Sequence, residues 1–318
     1  MTEALDVQRP RILVIKLGAL GDFVQALAPM AAIRRHHPDA HLTLLTTAPF
    51  VELAEASRWF DDIWVDSRPD WWQPGGWLDL RRRLRTGRFQ RVYDLQTSDR
   101  SGWYFRLMRR PLPGALRPEW SGIATGCSHP HSNPERDRMH TAERQREQLA
   151  MAGVPMNEPA DLSWLDADVG RFPLTNGFFL LAPGGAAHRP EKRWPAQRYG
   201  AFARELANTG HQPVLIGGAD EAEVMAAIRA KCPTALDLSG KTTLLDLAGL
   251  ARRAAGAAGN DTGPMHVVAA VGCPSLVLYS HASDPALCGQ RGPEVMVLRR
   301  RELKGLAVGE VEAAKRLR

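Results

Sequence analysis

The chain lacks the usual marks of a membrane, disulfide-stabilised or zinc protein. No apolar run approaches the roughly 18 residues of a membrane-spanning helix, and MTEALDVQRP lacks the basic start and apolar stretch of a signal peptide. The four cysteines form no CxxC pair, which argues against a zinc site or a disulfide framework. We therefore expect a soluble, cytoplasmic chain with four free thiols, at Cys127, Cys232, Cys273 and Cys288.

Two common phosphate-binding loops are also missing. The turn LGALGD has G-x-x-G spacing instead of the G-x-G-x-x-G of dinucleotide sites. LSGKTT resembles the end of a Walker A loop, but Ala235 occupies the position of its first glycine. An H-x-H pair, His129 and His131, lies in a proline-rich loop, but no carboxylate or cysteine completes a ligand set. We predict neither a metal nor a cofactor.

What the chain does have is enough length for two domains and an excess of positive charge. At 318 residues it exceeds the roughly 150 residues of one domain, and a hydrophobic share of 44% can supply two cores. The formal net charge of +6 favours anionic partners. These include nucleic acid, a membrane face and a phosphorylated substrate, and charge does not choose among them.

Strand and helix patterns alternate on both sides of a proline-dotted segment at 155–173, which predicts an interdomain linker. Compact apolar runs predict strands at 11–15, 41–46, 91–96, 178–181 and 213–216. The segment HTAERQREQLAMAGV predicts a helix with His140, Arg144 and Arg146 toward solvent. Alternation of this kind is typical of α/β domains with parallel sheets.

The stretch Ala254–Ser280 predicts a strand, an anion-binding turn, a helix and a second strand. Asn260, Asp261 and Thr262 are N-cap residue types, and Pro264 suits the first turn of a helix. A helix N-terminus offers free N–H groups and a positive dipole end to phosphate, with Asp261, Thr262 and His266 around it. From the residues alone, a plain capped helix explains the pattern equally well.

Three ordered segments resemble glycosyltransferase family nine, the bacterial ADP-heptose:lipopolysaccharide heptosyltransferases. They are NDTGPMHVVAAVGCP, the earlier RILVIKLGALGDFVQALAPMAAIRRHHPDAHLTLLT, and APGGAAHRPEKRWPAQRYGAFARELANTGHQPVLIGG. The resemblance implies an α/β fold of the GT-B type, with two doubly wound Rossmann-like domains facing each other across a cleft. It places an acceptor domain at 1–165 and a nucleotide-sugar domain at 173–318, with the last helix free to pack back on the N-terminal domain.

The resemblance also implies roles for individual residues. Asp22, which by itself would be an N-cap, matches the proposed general base of the family. The donor ADP-sugar would contact Lys192 in the K-x-W-P match, Asp220 or Glu221 at its ribose, and the helix mouth at Asp261, Thr262, Gly263 and His266. Ala187 and His188 stand where the family often has hydroxyl residues.

Seven of the nine tryptophans lie between Trp59 and Trp120, interleaved with arginines. This composition suits phosphorylated sugars and bilayer interfaces, and equally a solvated helix face. We predict an acceptor site formed by Arg81, Arg82, Arg83, Gln96 and Arg144, with Asp94 and Ser98 near its rim. The family's acceptor is a phosphorylated lipid, so the resemblance implies peripheral contact with the inner membrane face and no nucleic acid.

The implied reaction is metal-independent, inverting transfer of heptose from ADP-heptose to the lipopolysaccharide inner core. Three alternatives remain open at this point. They are transfer of another sugar or to a protein acceptor, epimerisation of a nucleotide sugar by an enzyme of the same architecture, and ligand binding without turnover.

Overall fold

The computed structural model describes residues 9–109 and 117–318. The chain divides into two compact units. The first consists of Met1–Gly18 and Ala26–Asp161, and the second of Ala19–Gln25 and Leu162–Arg318. A short segment near the N-terminus, Ala19–Gln25, therefore groups with the C-terminal half of the chain.

The first unit is built on a six-stranded parallel sheet with strand order β3-β2-β1-β4-β5-β6. Its strands are β1 (Arg11–Ile15), β2 (His41–Thr46), β3 (Asp62–Val65), β4 (Arg91–Asp94), β5 (Glu119–Gly122) and β6 (His129–Pro130). Its helices are α2 (Leu27–His36), α3 (Val51–Ser57), α4 (Pro74–Thr86), α5 (Asp99–Arg109) and α6 (Thr141–Met151). The central strand β1 is buried because its apolar run is covered on both faces of the sheet.

The second unit repeats this architecture with strand order β12-β11-β10-β7-β8-β9, again parallel. Its strands are β7 (Phe179–Ala182), β8 (Pro213–Leu215), β9 (Leu236–Asp237), β10 (Gly256–Asn260), β11 (Ser275–Tyr279) and β12 (Val295–Arg299). Its helices are α1 (Leu20–Gln25), α7 (Ala196–Asn208), α8 (Ala222–Arg229), α9 (Leu244–Arg253), α10 (Gly263–Ala270), α11 (Pro285–Cys288) and α12 (Val308–Ala314).

Each unit has its own apolar core. Trp120 is fully buried in the first core, packed against Phe105 with ring centroids 5.1 Å apart. Trp194 is fully buried in the second and packs against Tyr199. The C-terminal helix α12 packs on α7 and β12 of the second unit through Val311. The structure therefore assigns it to the C-terminal unit.

The predicted fold class is confirmed, since both halves are doubly wound α/β units with parallel sheets. Two local predictions were wrong. Asp22 is not an N-cap, because α1 begins at Leu20 and Asp22 lies within its first turn. His140 does not face solvent: it is buried, and its side chain accepts a hydrogen bond from the backbone N–H of Ala142 at the start of α6. Among the described residues, no helix is long and apolar enough to cross a membrane.

Candidate active site

The N-terminus of α10 is formed at the carboxyl end of β10, as the sequence predicts. Thr262 is the N-cap with extended backbone angles, and Pro264 lies in the first turn, where its missing N–H costs nothing. Gly272 ends the element with a φ of 82°, a left-handed conformation that favours glycine. The positive end of the α10 helix dipole makes this terminus suited to an anion.

Asn260 has a different role from the one its position predicts. It is the last residue of β10 and is fully buried. Its amide Nδ2 donates to the carbonyls of Pro183 and Gly184, at 2.7 and 3.0 Å. Its Oδ1 accepts from the backbone N–H of Trp194 and the hydroxyl of Tyr199. Asn260 therefore fixes the glycine loop that follows β7 against the end of β10.

Asp261 and Lys192 form a nearly buried ion pair beside the α10 N-terminus. Oδ2 of Asp261 lies 2.6 Å from Nζ of Lys192, and Oδ1 accepts a hydrogen bond of 3.2 Å from the amide of Gln290. Gln290 is in turn held by the hydroxyl of Tyr279, which donates to its Oε1 at 2.8 Å. Tyr279 and Gln290 thus orient the carboxylate of Asp261. The sequence predicts Asp261 as a site residue but not these two partners.

Glu221 bridges two glycine loops of the second unit. Its Oε1 accepts from the backbone N–H of Gly185 at 2.7 Å, and its Oε2 accepts from that of Gly218 at 3.0 Å. A Cβ at Gly184 would lie 1.8 Å from Oε1 of Glu221, so a side chain at this position would displace the Glu221 carboxylate. The neighbouring predicted residue, Asp220, is exposed on the same turn. Glu221 therefore shapes the loop as well as presenting an acceptor.

The helix that carries Asp22 packs against the N-terminal end of α10. A Cβ at Gly21 would lie 2.7 Å from Cδ2 of His266, and a Cβ at Gly263 would lie 2.9 Å from Cβ of Leu20. Two glycines therefore allow α1 and α10 to approach closely. The structure brings the exposed Asp22 into the same unit as His266, Gly263 and the rest of the α10 N-terminus.

Gln25 is a buried contact that the sequence analysis missed. Its amide Nε2 lies within 3.2 and 3.3 Å of the carbonyls of Cys288 and Gly289, and 3.4 Å from Nδ1 of His266. It lies one helical turn after Asp22, so the i, i+3 spacing was the available signal. Its partners are more than 240 positions away in the sequence, and no local pattern reveals them.

Cys288 is the cysteine nearest this site. Burial raises the pKa of its thiol, and the negative charges of Asp261 and Asp22 act in the same direction. The thiol is therefore protonated at neutral pH, which disfavours a role as a nucleophile.

The predicted rim of the first unit contains a fully buried carboxylate, Asp94. Its Oδ1 accepts from the backbone N–H groups of Gln96 and Thr97, at 3.1 and 2.9 Å, and Thr97 has a φ of 44°. Burial raises the pKa of Asp94 to about 6, although these hydrogen bonds and the charge of Lys16 oppose the shift. Asp94 thus holds the loop after β4 in a strained conformation.

The acceptor residues predicted in this unit are only partly brought together. Gln96 uses its Oε1 to accept from the backbone N–H of Leu17 at 2.8 Å, and Arg144 donates to Thr141 within α6. Arg136, which the sequence analysis missed, donates to the hydroxyl of Thr97 at 3.0 Å. Arg136 therefore reaches the loop after β4.

Arg81, Arg82 and Arg83 are consecutive on α4 and point in different directions, about 100° apart. Arg82 pairs with Asp79 in solvent, with a separation of 2.8 Å. Arg83 donates to the carbonyl of Val65 and lies over the ring of Trp64, 5.0 Å from its centroid. The three side chains therefore form no single cluster.

The two histidines of the H-x-H pair contact different carboxylates. His131 lies 3.0 Å from Oε2 of Glu147, whereas Nε2 of His129 lies 3.7 Å from a different carboxylate, that of Glu119. Across residues 9–109 and 117–318, no group of three His, Cys, Asp or Glu side chains could hold a metal ion.

Comparison with known families matches residues 77–313 to glycosyltransferase family 9 (heptosyltransferase). The chain belongs to this family. The match includes Lys192, Asp220, Glu221 and the α10 N-terminus, and so covers the predicted donor residues.

The individual relatives that the chain resembles are also heptosyltransferases. The chain is 36% identical over 104 residues to lipooligosaccharide heptosyltransferase 2 of Haemophilus influenzae, a stretch of 31% of this chain and 30% of that enzyme. It therefore aligns with less than a third of that relative. It is 24% identical over 307 residues to lipopolysaccharide heptosyltransferase 1 of Pseudomonas aeruginosa, covering 89% of this chain and 81% of that enzyme. The structure of E. coli heptosyltransferase WaaC with ADP aligns with a TM-score of 0.77, 20% identity and coverage of 95% and 98%.

Proposed function

We propose that this protein transfers heptose from ADP-heptose to a lipopolysaccharide inner-core acceptor, with inversion at the anomeric carbon. Family membership and the heptosyltransferase relatives support the reaction class. The similar E. coli enzyme holds ADP, which supports an ADP-sugar as donor. One observation carries the proposal: the helix of Asp22 packs on the N-terminal end of α10, so a carboxylate and an anion site share one unit.

The donor is bound by the second unit, 173–318, together with α1. The diphosphate lies at the N-terminus of α10, where Thr262, Gly263 and the helix dipole favour negative charge. Lys192 supplies the mobile cation and neutralises the leaving ADP, so its bond to Asp261 opens as the donor enters. Asp220 and Glu221 accept hydrogen bonds from the ribose, and Asp261 and His266 hold the sugar and adjacent phosphate.

Asp22 acts as the general base. It removes the proton of an acceptor hydroxyl as that oxygen bonds to the anomeric carbon, while the bond from this carbon to the ADP oxygen breaks on the opposite face. The transition state resembles an oxocarbenium ion, and the electron pair of the broken bond leaves with ADP. Gln25 anchors α1 three residues after Asp22, and so fixes the base relative to His266.

The acceptor is bound by the first unit, 1–165, through basic and polar side chains. The proposed contacts are Arg81, Arg82, Arg83, Gln96 and Arg144. A phosphorylated lipid acceptor would place the enzyme in the cytoplasm at the inner membrane face. The separated directions of the three α4 arginines mean that they contact different parts of such an acceptor, or that only some of them take part.

Product analysis with a panel of nucleotide sugars tests this function. Purified protein is incubated with each donor, with and without a defined lipid acceptor, and the products are resolved by mass spectrometry. We expect free ADP and an acceptor heavier by one heptose, formed only with both substrates. An epimerised sugar nucleotide in the absence of acceptor, or no turnover with any donor, contradicts the proposal.

A further inference from the structure

Between residues 71 and 103, the first unit exposes four large apolar side chains. Trp71 is 83% exposed, Trp72 59%, Leu78 61% and Trp103 53%. Tryptophan is usually well buried in a soluble protein, and clustered exposed apolar side chains mark interaction sites. We call these four residues the tryptophan face.

The loop that presents the two adjacent tryptophans is held rigidly. Asp70 accepts a hydrogen bond of 3.0 Å on its carbonyl from the indole of Trp77, and the carbonyl of Pro69 accepts two from Arg100. Pro69 packs closely against Gly76, where a Cβ atom would lie only 2.7 Å from Cβ of Pro69. The structure thus stabilises a turn whose tip leaves its two indoles in solvent.

The same anchors connect the loop to Trp103. Arg100 binds Pro69 and also lies over the ring of Trp77, 5.4 Å from its centroid. Trp103 follows Arg100 by one turn of α5, and Arg106 lies over the Trp103 ring at 4.6 Å. Residues at this spacing share one side of a helix. Trp103 therefore lies on the side of α5 that bears the Trp71–Trp72 loop.

The chain segment that carries this face has an excess of positive charge. Residues 66–109 contain ten arginines and five aspartates, with no lysine or glutamate. Two of the aspartates, Asp66 and Asp94, are buried, whereas none of the ten arginines is. Tryptophan prefers the headgroup level of a bilayer, and arginine side chains are attracted to an anionic leaflet.

From this combination we propose that the tryptophan face docks on an anionic lipid bilayer, with Trp71 and Trp72 inserted at headgroup level. The inference deepens the proposed function, on which it rests, by naming the surface that meets the lipid carrying the acceptor. Arginine stems can lie along the apolar headgroup boundary while their guanidinium groups pair with lipid phosphates. A second copy of this chain is the competing occupant of the tryptophan face. In that case, the face would mediate self-association, and its substitution would not change binding to anionic vesicles.

Vesicle binding of the full chain tests the proposal. Wild type, Trp71→Ser/Trp72→Ser, and the control Met151→Ser, which removes an exposed apolar side chain at the end of α6, are sedimented with phosphatidylcholine vesicles with or without phosphatidylglycerol. We expect wild type and control to bind anionic vesicles, and the double variant to bind at least tenfold more weakly. Equal binding by the double variant, or no binding by wild type, overturns the proposal.

Two further readouts separate the remaining outcomes. Circular dichroism checks that the double variant is folded, and Trp103→Ser provides a second, independent test with the same expected loss. A loss of self-association in light scattering, with vesicle binding unchanged, would assign the face to a second copy. Turnover on a de-acylated, water-soluble acceptor should survive in the double variant. If wild type binds vesicles but transfers no heptose, the proposed function fails while the docking surface stands.

Discussion

Nζ of Lys192 lies 2.6 Å from Oδ2 of Asp261, and the two side chains are only 13% and 7% exposed. Burial alone would raise the pKa of Asp261, but the hydrogen bond and charge of Lys192 outweigh it and leave this pKa below its ordinary value. Before donor binds, the main cation of the site is thus already neutralised. In the proposed mechanism, a diphosphate replaces the Asp261 carboxylate as the partner of Lys192.

The first prediction concerns this exchange. Lys192→Ala should weaken ADP binding about tenfold or more, because it removes the charge that meets the diphosphate. It should also lower the free energy of unfolding by about 3 kcal/mol, since it leaves Asp261 buried and unpaired. Titration calorimetry with ADP and urea unfolding measure the two effects.

The double variant Lys192→Ala/Asp261→Asn separates stability from binding. It should recover much of the lost stability but none of the ADP affinity, because no unpaired carboxylate remains and the cation is still missing. Lys241→Ala, at an exposed lysine that donates to the carbonyl of Asp237, is the control and should leave ADP binding unchanged. Normal ADP affinity in Lys192→Ala would remove Lys192 from the donor site.

The second prediction concerns the base. Asp22→Asn should lower turnover by roughly 10²- to 10⁴-fold while ADP binding stays within about twofold, because the amide cannot accept the proton. Glu52→Gln, an exposed acid in the first turn of α3, is the matched control for loss of charge at a helix N-terminus. Single-turnover assays beside ADP titrations measure both. Near-normal turnover would reduce Asp22 to a helix-dipole role.

The sequence predicts the local parts of this structure well. Strands at 11–15 and 41–46 agree with the observed β1 and β2 to the residue, and Gly272 ends α10 as its position indicates. Apolar runs and glycine or proline punctuation act over a few residues, so one segment contains the whole signal.

Side-chain pairing over long distances is where prediction failed. Gln25 meets His266 across 241 positions, and Asn260 meets Pro183 across 77. An N-cap preference explained Asn260 locally, but the packing of β10 beside β7 determined its actual partners. Likewise, three adjacent arginines in the sequence suggest one basic cluster. On α4, successive side chains point about 100° apart, so the three are separated.

A third prediction concerns metal dependence. Activity should persist after treatment with a chelator, because Lys192 and the N-terminus of α10 can stabilise the charge of the leaving ADP. Turnover is measured in EDTA after removal of free metal by dialysis, against an untreated sample. Loss of activity that magnesium or manganese specifically restores would contradict this.

The fourth prediction separates the arginines of α4. Replacing Arg81, Arg82 and Arg83 together by Ser should raise the acceptor KM and weaken its salt dependence, because exposed ion pairs are screened over about 8 to 10 Å. Arg83→Ser alone should also lower the free energy of unfolding by about 1 to 2 kcal/mol, since it loses the Trp64 ring and the Val65 carbonyl.

Arg82→Ser is the internal comparison for that series. Its exposed pair with Asp79 contributes little stability, so any change in acceptor KM would report binding directly. Donor affinity should stay within about twofold in every variant. Full acceptor kinetics at low salt in the triple variant would show that these arginines form a solvated face.

The last prediction follows from Asp94, whose pKa burial raises to about 6 from an ordinary value near 3.8. The folded state therefore binds a proton more tightly than the unfolded chain does. The stabilising contribution of protonated Asp94 is fully present below about pH 4 and is lost as pH rises through 6. At about 1.4 kcal/mol per pKa unit, the loss amounts to roughly 3 kcal/mol by neutral pH.

Asp94→Asn should remove this dependence, because an amide keeps the oxygen that accepts from Gln96 and Thr97 but does not ionise. Other carboxylates, such as Asp246, have lowered pKa values and stabilise the fold in the opposite sense as pH rises. The informative quantity is therefore the difference in unfolding free energy between variant and wild type, measured in urea from pH 4 to 7.5. That difference should move in favour of the variant by up to about 3 kcal/mol as pH rises. A constant difference across this range would mean that Asp94 does not titrate there.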